Sequence, residues 1–172
     1  MNYFKNALFF LFFITYPQVF GQNVYISHYV FTHIESHPKI VFKYLLRNYE
    51  TNPDVAYILG RLFLEKNDIN IAEYYFKLAM QINKHPPSIN ALGDIYYSDR
   101  NKIKKALYFY EKAGKSGYGP SQFNAGIIYM KHIKNAKKAK FWLKMASKNE
   151  FFDKSLRDAA ENYNNSINLR TD

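Results

Sequence analysis

The residue types best suited to chemistry stand near the N-terminus, in His33-Ile-Glu-Ser-His37 with His28 upstream. Histidines four residues apart share one helix face and can in principle hold a transition metal. Pro38 follows at once and no third ligand is evident, so solvated histidines are expected and no metal site is assigned. Carboxylates are scattered, among them Glu65 with Asp68 and Asp94 with Asp99. Acid–base work would need them in a cleft with shifted pKa values, whereas exposed helix faces carry such charges by default. There is no glycine-rich phosphate loop, no Gly-x-Ser-x-Gly elbow and no His-Glu-x-x-His pair. With no cysteine in 172 residues, thiolate nucleophiles, cysteine zinc sites and disulfides are excluded. No catalytic residue and no cofactor is expected.

The basic residues are more suggestive. The formal charge is +10, but residues 22–100 carry eight basic and eight acidic side chains. Residues 101–148 carry twelve lysines against the single acid Glu111, and residues 149–172 return to a net −2. Lys137, Lys140, Lys144 and Lys148 fall three or four residues apart, forming a stripe opposite Ala139, Leu143 and Ala146. Such a stripe could meet an anionic surface: lipid head groups, an acidic glycan or an acidic protein. It could equally be an ordinary solvated helix face, or reflect biased composition. Nucleic acid is disfavoured, because a stripe of lysine without arginine offers no bidentate recognition of phosphate or guanine.

These residues must be positioned by a repeating scaffold. Leu59-Gly60, Leu92-Gly93 and Ala125-Gly126 are 33 residues apart, and Phe63, Tyr96 and Tyr129 follow each glycine by three. Ala72, Ala106 and Ala139 come next, then Ala79, Ala113 and Ala146, with aromatic or leucine pairs between them. Fixed-period recurrence of this kind marks repeat architectures. Apolar residues recur every three or four positions over 54–65, 87–98 and 119–132, and again over 69–82, 102–115 and 135–148. That predicts a pair of amphipathic helices per repeat. Glycine inside a helix costs ~1 kcal/mol relative to alanine, so close approach of the partner helix is the expected compensation. Asn52-Pro53, His85-Pro86-Pro87 and Gly117-Tyr118-Gly119-Pro120 punctuate the units.

The pattern resembles the tetratricopeptide and Sel1-like repeat superfamily over about residues 53–148. The run Tyr110-Glu-Lys-Ala-Gly-Lys-Ser-Gly-Tyr-Gly-Pro-Ser-Gln-Phe-Asn-Ala-Gly-Ile-Ile-Tyr129 is strongly Sel1-like, as are Lys105-Ala106 and Lys138-Ala139 with their trailing aromatics. One departure is that Ser98–Lys102 and Lys131–Asn135 lack the longer Gly-x-Gly loop usual in Sel1-like repeats. The resemblance implies an all-α, right-handed αα-hairpin solenoid of about three repeats (53–85, 86–118 and 119–148) with helical flanks. In such folds the first helix of each pair lines a concave groove. Carried onto this chain, the groove positions are Asp54, Tyr57, Arg61 and Leu64, then Pro87, Asn90, Asp94 and Tyr97, then Pro120, Phe123, Ile127 and Met130. Tyrosine, asparagine, arginine and aspartate beside an apolar end suit a protein or peptide partner.

The flanks read as partial units. Residues 22–52 contain a helix over 38–50, with a second helix or a strand over 24–36, and 149–172 hold a polar capping helix. Residues 1–21 have the layout of a secretory signal peptide: Lys5, ten apolar residues from Ala7 to Tyr16, Pro17, and a cleavage site after Gly21. Ten residues are short for a membrane span, although an uncleaved N-terminal anchor is the alternative. The expectation is therefore an exported, non-catalytic scaffold or adaptor, periplasmic or secreted. The resemblance suggests a bacterial envelope or host-interaction role. The competing expectation is a small metal protein or enzyme using the N-terminal histidines.

Overall fold

The structure, a computed structural model, describes residues 38–168. The expected signal peptide, the 24–36 segment and His28, His33 and His37 lie outside the described residues. Among the described residues eight α-helices follow one another: α1 (Pro38–Asn48), α2 (Pro53–Glu65), α3 (Ile69–Asn83), α4 (Pro86–Tyr97), α5 (Ile103–Lys115), α6 (Gly119–Ile128), α7 (Ala136–Ser147) and α8 (Lys154–Asn168). No strand occurs among the described residues.

Local sequence explains where most of these helices begin. Pro53, Pro86 and Pro120 occupy first-turn positions of α2, α4 and α6, where a missing N–H costs nothing. Asn52 caps α2 by accepting from the amides of Asp54 and Val55, and Asn135 caps α7 by accepting from Lys138 N. Asp153 does the same for α8 through Ser155 N and Leu156 N. The helix ends are less regular. Asn67, Lys84 and Lys134 all adopt left-handed backbone, with φ of 63°, 45° and 60°. The helix expected over 119–132 turns into a π-helical stretch at Tyr129–Ile133, where the Tyr129 carbonyl accepts from both Lys134 N and Asn135 N.

Each helix packs mainly on its neighbours in the chain. α2 pairs with α3, α4 with α5 and α6 with α7, and α3–α4, α5–α6 and α7–α8 contacts join the pairs. The six repeat alanines, Ala72, Ala79, Ala106, Ala113, Ala139 and Ala146, are completely buried at these contacts. A Cβ added at Gly60 would meet the Phe76 ring at 2.5 Å, at Gly93 the Tyr110 ring at 2.6 Å, and at Gly126 Leu143 Cγ at 2.7 Å. The missing Cβ at one position per pair lets a large side chain sit directly on the opposing helix. Burying a side chain such as Phe76 contributes ~2–3 kcal/mol, more than the ~1 kcal/mol the glycine costs.

A lysine–tyrosine contact recurs at the 33-residue offset. Lys105 Nζ lies 3.9 Å from the Tyr96 ring centre, and Lys138 Nζ lies 5.0 Å from that of Tyr129. Tyr96 donates its hydroxyl to Glu73, and Tyr129 donates to Glu111 at 2.7 Å. In each case the acid belongs to the second helix of the preceding pair, so these bonds join one pair to the next.

Candidate functional site

The expected groove positions fall on α2, α4 and α6, and the structure separates them into supporting and surface residues. Tyr57 is buried, its ring 5.7 Å from Phe76 and 5.4 Å from His85. Its hydroxyl accepts from Arg61 Nη1 at 3.3 Å, so it props Arg61 from below instead of presenting a ring. Asn90 is half-buried and works as a junction. Its Nδ2 donates to Asp94 Oδ2 at 2.9 Å, while its Oδ1 accepts from Ser121 Oγ at 2.8 Å and Asn124 Nδ2 at 3.5 Å. That network ties α4 to α6.

A hollow of about 180 Å³ opens beside it, with Asp94, Tyr97 and Tyr110 on one wall and Phe123, Asn124 and Ile127 on the other. Four of the expected groove residues, Asp94, Tyr97, Phe123 and Ile127, therefore border one cavity. Met130 does not; it is half-buried against the core in the π-helical stretch. Phe123 is held by the rings of Phe152 and Tyr163 at 6.2 and 6.1 Å, which brings α8 to support the wall. Tyr97 stands at the rim, edge-on to His132 at 5.7 Å, with its hydroxyl 3.2 Å from His132 Nε2.

Asp94 dominates the electrostatics. It is exposed to solvent at the edge of the hollow, with the Tyr110 hydroxyl and Arg61 nearby. Desolvation raises its pKa above the usual aspartate value of 3.8, against the opposing pull of the Tyr110 hydroxyl, which donates at 2.7 Å, and of Arg61. Burial likewise pushes the hydroxyls of Tyr57, Tyr110 and Tyr118 well above the ordinary tyrosine range. Of these only Tyr110 lines the hollow, whose polar groups are the Asp94 carboxyl, the Tyr97 and Tyr110 hydroxyls and the Asn124 amide, a set suited to hydrogen bonding.

One constellation escaped sequence reasoning. His85 Nε2 lies 3.1 Å from Asp54 Oδ1 and His85 Nδ1 lies 2.8 Å from Ser88 Oγ. These are the three residue types of a serine-nucleophile triad, with the ring reversed relative to the usual arrangement. Ser88 is completely buried and His85 nearly so, so no substrate reaches the hydroxyl. The network joins α2 to the start of α4. Asp54 and His85 are 31 residues apart, and only the His85–Ser88 spacing at a helix start hinted at it.

The lysine stripe lies on α7, opposite the buried Ala139, Trp142, Leu143 and Ala146. Lys137, Lys144 and Lys148 are exposed and Lys140 is half-buried, and none joins an ion pair among the described residues. Among those residues no group of three histidine, cysteine or acidic side chains could hold a metal, and no helix is long and apolar enough to cross a membrane.

Compared with known proteins, the chain matches no family model, no curated protein and no solved structure. The functional reading therefore rests on the hollow and the residues that line it.

Proposed function

We propose that this chain is an exported, non-catalytic adaptor: a Sel1-like or tetratricopeptide-like solenoid that takes a peptide segment of a protein partner into the groove of its first helices. The observation that carries the reading is the hollow between α4 and α6, where Asp94, Tyr97 and Asn124 adjoin Phe123 and Ile127. A polar rim beside an apolar floor is how a groove captures a side chain and its neighbouring amide together. The negative Asp94 favours a segment with a basic or amide donor next to an apolar residue. The recurrence of the glycine and lysine–tyrosine contacts every 33 residues, with buried alanines every 33 or 34, supports the solenoid reading.

Panning a random peptide library on the purified chain tests this. Enriched peptides that bind the parent and lose at least ~10-fold affinity on Tyr97→Ala or Ile127→Asp, with far-UV circular dichroism unchanged, are expected. No enrichment, or binding indifferent to both substitutions, would overturn the groove.

A further inference from the structure

Two residues after the first repeat alanine of α3, α5 and α7 stand Tyr74, Tyr108 and Phe141, and they are 56%, 58% and 57% exposed. Each is braced edge-on against the next residue in sequence, Tyr75, Phe109 or Trp142, at ring separations of 5.2, 5.2 and 5.3 Å. The same ring protrudes in the same pose from three helices, on the side away from the buried alanines. Isolated exposed aromatics need no explanation, but a braced, recurring set does.

On α5 and α7 the charge around these rings also recurs. Lys104 and Lys115 flank Tyr108, and Lys137 and Lys148 flank Phe141 at the same 33-residue offset, with Lys144 adding a fifth. All five are exposed and none joins an ion pair among the described residues. The third ring differs: Tyr74 sits near Lys77, which is paired with Glu73 at 2.6 Å.

We propose that the outer face of α5 and α7 docks on an anionic lipid bilayer, with Tyr108 and Phe141 entering the head-group layer between lysines that contact lipid phosphates. Charge complementarity selects this occupant. Lysines are point charges on flexible stems that need no fixed fork geometry, which suits a fluid anionic surface better than a structured acidic partner. Rings of tyrosine and phenylalanine beside lysine favour the bilayer interface. The hollow bordered by Asp94 and Phe123 takes no part in this face, so the proposal stands independently of the peptide groove.

The absence of cysteine allows a local probe on the full chain. Phe141→Cys labelled with an environment-sensitive dye should brighten and shift to the blue with vesicles containing one third phosphatidylglycerol, and not with phosphatidylcholine alone. Changing Lys137, Lys144 and Lys148 together to glutamine should raise the lipid concentration at half-response by about 100-fold, at roughly fivefold per lysine. The same dye on Tyr74→Cys should respond far less. If the chain sediments with vesicles while the dye at 141 stays in water, attachment runs through another part and the proposal fails. A dye response to heparin but not to anionic vesicles would assign the face to an acidic polysaccharide and also overturn it.

Discussion

Gly93 lies directly beneath the ring of Tyr110: a Cβ built there would stand 2.6 Å from Tyr110 Cε1. The same tyrosine delivers its hydroxyl to Asp94 at 2.7 Å. One close approach thus sets both the spacing of α4 and α5 and the position of the Asp94 carboxyl beside the hollow.

Gly93→Ala is accordingly expected to destabilise the fold. Alanine gains ~1 kcal/mol of helix propensity, but displacing a wedged ring costs up to ~3 kcal/mol, so a net loss of up to about 2 kcal/mol should appear as a lower Tm. Thermal melts followed at 222 nm would measure it. A Tm equal to or above that of the parent would show that the Tyr110 contact does not set the helix spacing.

Asp94 should give a pH signature of unusual sign. Its folded-state pKa is raised, so the folded chain holds that proton more tightly, and the carboxyl's penalty grows as pH climbs through and above about 3.8. Asp94→Asn removes the titration. The Tm difference, variant minus parent, should therefore become more favourable to the variant between pH 3.5 and pH 7. A difference that is flat, or that falls with pH, would contradict the desolvated carboxyl.

Lys84 and Lys134 end α3 and the α6 segment with φ of 45° and 60°, a backbone region that costs an L side chain ~1–2 kcal/mol. Glycine relieves that strain but loses more entropy on folding. Lys84→Gly and Lys134→Gly should each stabilise by about 0.5–1 kcal/mol, and nearly additively because the sites are far apart in sequence and share no hydrogen bond. Urea midpoints of the single and double variants would check this.

Alkaline titration should sort the sixteen tyrosines. Burial raises the hydroxyl pKa values of Tyr57, Tyr110 and Tyr118, so their contribution to stability is complete below about pH 10 and is lost as pH rises beyond it. Absorbance at 295 nm should show a late phase from these three hydroxyls, coincident with loss of helicity. Complete ionisation with helicity retained would contradict the buried positions.

Much of the scaffold was legible because helix periodicity and its punctuation are local. The segments expected over 54–65, 69–82, 87–98 and 102–115 match α2 to α5 to within a residue or two. The glycines expected to admit a partner helix do so at Gly60, Gly93 and Gly126. The candidate site was only partly legible. Tyr57 occupies a groove position by spacing yet points into the core, where Phe76 and His85 surround it. Tyr110, on the second helix of its pair and outside the expected groove positions, sends its hydroxyl through to Asp94, and Asn124 lies one position off the expected register.

What the sequence determines by itself is set by short-range physics: helices throughout the described residues, helix starts at proline and asparagine, a 33-residue period, and a basic block confined to 101–148. What tertiary structure alone decides depends on distances between residues about 20 to 35 positions apart. The Asp54–His85–Ser88 network, the Asn90 junction between α4 and α6, and the common outward pose of Tyr74, Tyr108 and Phe141 all belong here. The reason is that a period states which residues are equivalent, whereas packing between helices determines which way each equivalent side chain faces.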